Sequence, residues 1–188
     1  MRAGMGLEFA GSGGWGIGVF VQVGRVFDVV EGLLKASGHP DIASLERYGT
    51  LGEAWNPKDH SPKGSVTGLR ITYTSTSTAT LYATSRAGEK VIAMPEVMPP
   101  PNRRAIRLPM FVVQLLDVAR PDDFGSWDLI AFGDFGPTDA RGAAPAGVRI
   151  TGKDGSKVIL QSQATGAMVG NEPEEEPFPE YVIPAGIG

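Results

Sequence analysis

From residue 147 to residue 161 the chain reads GVRIT-GKDGS-KVILQ. Apolar residues alternate on both flanks, which suits two strands that each bury one face. Between them, Asp154-Gly155 is a dipeptide that tolerates the positive φ angles of a tight hairpin turn. The unit calls for an antiparallel sheet, and its surroundings agree. Leu69-Arg70-Ile71-Thr72-Tyr73-Thr74 alternates as well, and residues 65–85 hold 11 Ser or Thr. β-branched Thr suits a pleated, half-exposed face. Residues 127–135 alternate and read as a further strand. Residues 81–84 and 90–94 flank Ser-Arg-Ala-Gly-Glu and read as a second hairpin. The expected class is mainly β, an antiparallel sandwich or barrel-like body. Leu69, Ile71, Val148, Ile150, Val158 and Leu160 are the predicted core.

Near the N-terminus the period changes. Val19, Val21 and Val23 alternate and predict a short strand. Val26, Val29, Val30, Leu33 and Leu34 then follow helical spacing, with Asp28 and Glu31 on the other face. This predicts one principal helix near 25–36, stopped by Gly38 and Pro40. Residues 41–48 read as a short second helix capped by Asp41. Residues 49–64 and 136–147 read as loops. Residues 95–109 are rich in Pro and read as an extended connection. Residues 110–119 fit helix or strand, and their strand neighbours favour strand.

Gly and Pro number 41 of 188 residues, about 22% against an average of roughly 12%. Leu, Ile, Val and Phe number 46, about 24% and above the roughly 20% that a core needs. The two ends hold 13 of these 41 residues in 36 positions, and the chain divides into a Gly-rich arm (1–18), a β-rich body (19–170) and an acidic, Pro-rich arm (171–188). Of 21 acidic residues, five fall in the last 17 positions (Glu172, Glu174, Glu175, Glu176, Glu180). The body is left near neutral, without the field that collects nucleic acid as a primary ligand or holds an anionic lipid surface. The chain has no Cys and only two His, which excludes disulfides, thiolate metal sites and a His-rich centre. The stretch 15–34 carries Arg25, Asp28 and Glu31, too polar to insert in a membrane, and no secretory signal is read.

Several patterns invite a chemical reading. Gly11-Ser12-Gly13-Gly14-Trp15-Gly16 matches G-x-G-x-x-G, but the residues before it make a poor strand and those after it prefer strand to helix. Ser37, His39 and Asp41, or Asp59, His60 and Ser61, contain the residue types of a triad. Sequence neighbours rarely converge in that way, so helix stop and loop is the plainer reading. Asp122, Asp123, Asp128, Asp134 and Asp139 offer oxygen ligands without the spacing of a calcium loop. Trp15, Trp55 and Trp127 suit core or interface. No cofactor, metal or catalytic residue is therefore expected.

The acidic arm carries a different message. Four Pro (Pro173, Pro177, Pro179, Pro184) keep it extended, and Phe178, Tyr181, Val182 and Ile183 follow the acids. A charged spacer ending in apolar anchors suits docking onto a neighbouring subunit. Arg103, Arg104 and Arg107 form the basic cluster that would receive the acids. The resulting expectation is a non-enzymatic structural subunit of a large complex, a bacteriophage virion component such as a connector, tail or decoration protein. Its partners would be copies of itself and other structural proteins, and its location the virion, with the cytoplasm as alternative. A carbohydrate- or ligand-binding β-domain, with Trp127 and Tyr82 as platforms, is the second reading. A small nucleotide-dependent enzyme is the third.

Overall fold

The structure is a computed structural model, and it describes residues 17–49, 67–132, 143–165 and 172–188. The Gly11–Gly16 motif, Trp15, Trp55, Asp59, His60, Ser61, Asp134 and Asp139 lie outside the described residues, as does most of the 49–64 segment. In chain order come α1 (Ile17–Ala36), β1 (Ile42–Tyr48), β2 (Gly68–Tyr73), β3 (Thr78–Thr84) and β4 (Glu89–Val91). A 3-10 turn (Pro101–Arg103) then leads into α2 (Arg104–Ala119), followed by β5 (Phe124–Phe132), β6 (Ala143–Gly152) and β7 (Lys157–Thr165). The described strands form one antiparallel sheet in the order β1-β2-β3-β7-β6-β5-β4. The fold is mainly β, and the sheet is open rather than closed into a barrel.

The β6–β7 hairpin forms as its alternation predicts, pairing Val148 with Leu160 and Ile150 with Val158. Gly155 takes φ +80°, and the Ser156 N–H donates to Asp154 Oδ1. All six predicted core residues are buried. They share a single core with Val26, Phe27, Val30, Leu33 and Leu34 of α1 and with Ile106, Leu108, Met110, Val112, Leu115 and Leu116 of α2. The opposite face of the sheet is more polar. There Ile130, Gly147, Gln161, Tyr82, Gly68 and Tyr48 form one cross-strand row.

Five local expectations are corrected. Residues 143–147 open β6 rather than lying in a loop, because Ala143 pairs with Gln163 and Gly147 with Gln161 of β7. Residues 19–23 belong to α1, not to a strand. The weak β preference of alternating Val yields to the hydrogen bonds that extending a helix adds one by one. Residues 42–48 are strand, not helix. A register irregularity between Ile42 and Ser44 places Ile42 opposite Tyr73 and Leu45 opposite Ile71. One extra residue thus sets two core-facing side chains three apart, the spacing of a helix. The 81–94 hairpin does not form, because β3 pairs with β7 and β4 with β5. Its connection reaches across to the far edge of the sheet, and the Arg86 guanidinium lies 4.9 Å from the Phe132 ring centre. Finally, residues 104–119 are helix despite Pro109. An interior Pro removes one hydrogen bond and costs about 3 kcal/mol, but this helix buries most of its circumference, Pro109 included.

Gly147 sits at the irregularity between β6 and β7, where a Cβ would come within 2.2 Å of the Leu160 carbonyl oxygen. Gly147→Ala is expected to force the two strands apart and destabilise the protein by about 1–3 kcal/mol. A lowered melting temperature checks this, and an unchanged one would contradict the close approach.

Candidate functional site

Residues 172–188 do not project from the body. They run along α2 as a strap, from Glu172 at its first turn to Gly188 against Ala119 at its last. The helix dictates the seat. Arg107, Phe111, Gln114 and Val118 recur at helical spacing on the side turned away from the core, and they line a cleft of about 600 Å³ with Phe178, Tyr181 and Ile183.

At the head of the strap lies Arg104, whose side chain is only 3% exposed. Its Nη1 donates to Asp41 Oδ2 at 2.5 Å, and its Nε donates to Glu172 at 3.0–3.1 Å. The guanidinium carbon sits 3.8 Å from the centre of the Tyr73 ring. The partners are fixed in turn. Thr74 Oγ1 donates to Asp41 Oδ1, the Thr74 N–H donates to the Asp41 carbonyl, and Ser75 Oγ donates to Glu172. Burial opposes the charge of Arg104, but the hydrogen bonds it donates to Glu172 and Asp41 outweigh it and raise its pKa. Burial pushes the Tyr73 phenol up, so the ring stays neutral beneath the cation. Four parts of the chain meet here: the α1–β1 turn, the β2–β3 turn, α2 and the strap.

One turn along, Arg107 pairs with Glu176 and donates through Nη1 to the Pro99 carbonyl at 2.7 Å. Beyond that pair the contacts become aromatic. The His39 ring meets Phe111 edge-on at 5.1 Å, Tyr181 at 4.2 Å and Phe178 at 6.3 Å between centres. The Tyr181 hydroxyl donates to the Ser37 carbonyl at 2.8 Å. The Asp41 N–H donates to His39 Nδ1, which keeps that nitrogen free of a proton. Burial holds the His39 pKa below its ordinary value of 6.5; Asp41 and Glu176 pull it up, while Arg107 and Arg104 push it down.

The seat brings together Arg104, Arg107, Phe178, Tyr181 and Ile183. Val182 is 78% exposed, pointing away from the core, and Arg103 ends the 3-10 turn. His39, Asp41, Tyr73 and Phe111 also belong to the seat, and the sequence reading did not place them there. Ser37, His39 and Asp41 are adjacent but not arranged as a triad. Ser37 Oγ donates to the Leu34 carbonyl, and the Asp41 carboxylate faces Arg104 and Thr74. Trp127 and Tyr82 lie on opposite faces of the sheet, and Trp127 Nε1 donates to Asp117 of α2. Asp123 pairs with Arg25 and Asp128 with Arg149. A second cleft, of about 380 Å³, opens beside that Arg25–Asp123 pair, floored by Val26, Phe124, Ile150 and Val158.

Arg104→Met is expected to leave two buried carboxylates uncompensated and to cost about 3–5 kcal/mol. That loss should lower the melting temperature by roughly 10 °C. A fall no larger than that of a surface substitution would show that the network contributes little. His39 sets a pH dependence. Because its folded pKa lies below the unfolded value, the unfolded chain binds a proton first as the pH drops through 6.5. Stability is therefore unaffected by His39 above that point and declines below it. Melting curves from about pH 7.5 to about pH 5.5 should show this decline. His39→Asn, which keeps an acceptor for the Asp41 N–H, should flatten it. No protein-family model, curated protein or solved structure matches the chain.

Proposed function

We propose that this chain is a non-enzymatic building block of a large assembly, with copies of itself and other structural proteins as partners. A bacteriophage virion component, such as a connector, tail or decoration protein, is the class it would suit. The observation that carries the reading is the β4 edge of the open sheet. Among the described residues β4 has a neighbour on one side only, and its last residue, Val91, is 54% exposed. An edge with exposed apolar side chains is a template for pairing with another chain. Among the described residues no helix is long and apolar enough to cross a membrane.

A second reading, a ligand-binding β-domain, draws on the 380 Å³ cleft. Its floor is apolar and Arg25, Lys153 and Asp154 stand at its rim. The volume falls in the range of small-molecule sites, about 300–1,000 Å³.

Mass measurement in solution separates the two. The assembly reading expects a mass that rises with concentration, and Val91→Lys should reduce it while shifting stability by no more than about 0.5 kcal/mol. A chain that stays monomeric throughout and binds small apolar ligands in a Val26- and Phe124-dependent manner would favour the second reading and overturn the first.

A further inference from the structure

We infer that the strap, residues 172–188, is an exchangeable connector that seats on α2 of a second copy of this chain. The inference rests on the assembly reading and names the surface that joins the copies. The strap is attached in the manner of a bound ligand. Its contacts with the body run through side chains: Glu172 to Arg104, Glu176 to Arg107, Tyr181 to the Ser37 carbonyl, and Phe178 and Tyr181 to the His39 ring. The backbone hydrogen bond described within it is a local one, from the Tyr181 N–H to the Phe178 carbonyl. Among the described strands it joins no ladder of the sheet.

Nothing in this seat depends on which copy supplies the strap. The charges match one to one, Arg104 with Glu172 and Arg107 with Glu176. The link from Thr165 to Glu172 spans seven peptide units, at most about 25 Å when extended. The seat is also only partly filled. The open cleft of about 600 Å³ runs beside the strap, and Phe178, Tyr181 and Ile183 are only half-buried. Two copies that trade straps keep every one of these contacts while gaining whatever surface their bodies share, a low-cost route to a dimer or chain of subunits.

The experiment uses full-length chains. Arg107→Glu in one preparation and Glu176→Arg in another each place like charges together within their own copy. Mixed in equal amounts, they restore attraction only between copies. Native mass spectrometry should then show a heterodimer many-fold more abundant than either homodimer. A mixture that remains two separate monomers would overturn exchange. Because Arg107→Glu can perturb folding, a second pair is read independently. The chain lacks Cys, so Ala119→Cys in one copy and Gly188→Cys in another supply one thiol each where the strap ends against α2. Oxidation should give mainly the mixed disulfide dimer, and adding Glu176→Arg to the Gly188→Cys chain should suppress it. A statistical mixture of dimers, or no effect of Glu176→Arg, would overturn the inference. If the variants stay apart while the unmodified chain still self-associates, exchange fails and assembly through the β4 edge stands. An unmodified chain that is monomeric at every concentration removes both.

Discussion

Arg104 is the point on which the rest of the structure depends. A guanidinium this deeply buried is tolerable only because two carboxylates and an aromatic face replace the water it gives up. Those partners come from distant positions, residues 41, 73 and 172, so satisfying one side chain fixes three chain segments against the start of α2. The carboxylates are themselves held by Thr74 and Ser75 of the β2–β3 turn. The turn, the start of the helix and the head of the strap consequently share one charge balance. The apolar packing of α2 on the sheet supplies the bulk of the burial, and the arginine sets which way the helix enters.

The strap extends that logic from charge to aromatic packing. Its first five residues engage two arginines, and its next five engage a histidine and a phenylalanine. The helix offers Arg107, Phe111, Gln114 and Val118 in the same sequence of chemistry, from ionic to apolar, along its outward side. A Pro-rich segment suits this task because it loses less entropy on lying down than a flexible one.

Much of the body is readable where the determining information is local. The β6–β7 hairpin follows from alternation and an Asp-Gly turn, and Gly38 at φ +56° ends α1 where its sequence says it should. Reading fails where a long-range effect overrides a local pattern. The irregularity near Ala43 gives β1 a helical spacing, and only its pairing with β2 reveals the strand. Residues 110–119 fit helix and strand alike by pattern, and it is their place in a helix that begins at Arg104 and buries most of its circumference that decides for helix. The site divides in the same way. The acids and arginines are visible as complementary charges, and Phe178, Tyr181 and Ile183 as apolar anchors. Asp41 and His39 gain their roles only because the α1–β1 turn lies beside the first turns of α2, which is a property of the topology.

The arginine network also has a consequence in time. Asp41, Arg104 and Glu172 leave the ribosome in that order, separated by 63 and 68 residues. A nascent chain can bring Asp41 to Arg104 once α2 has emerged, but β5, β6, β7 and the strap are still to come. The centre of the sheet, where β3 meets β7, likewise waits for the last strand. Contacts so distant in sequence slow folding and leave apolar surface open while synthesis continues. The native packing of the body therefore waits for β7 and the strap, and it is the strap that brings Arg104 its second carboxylate.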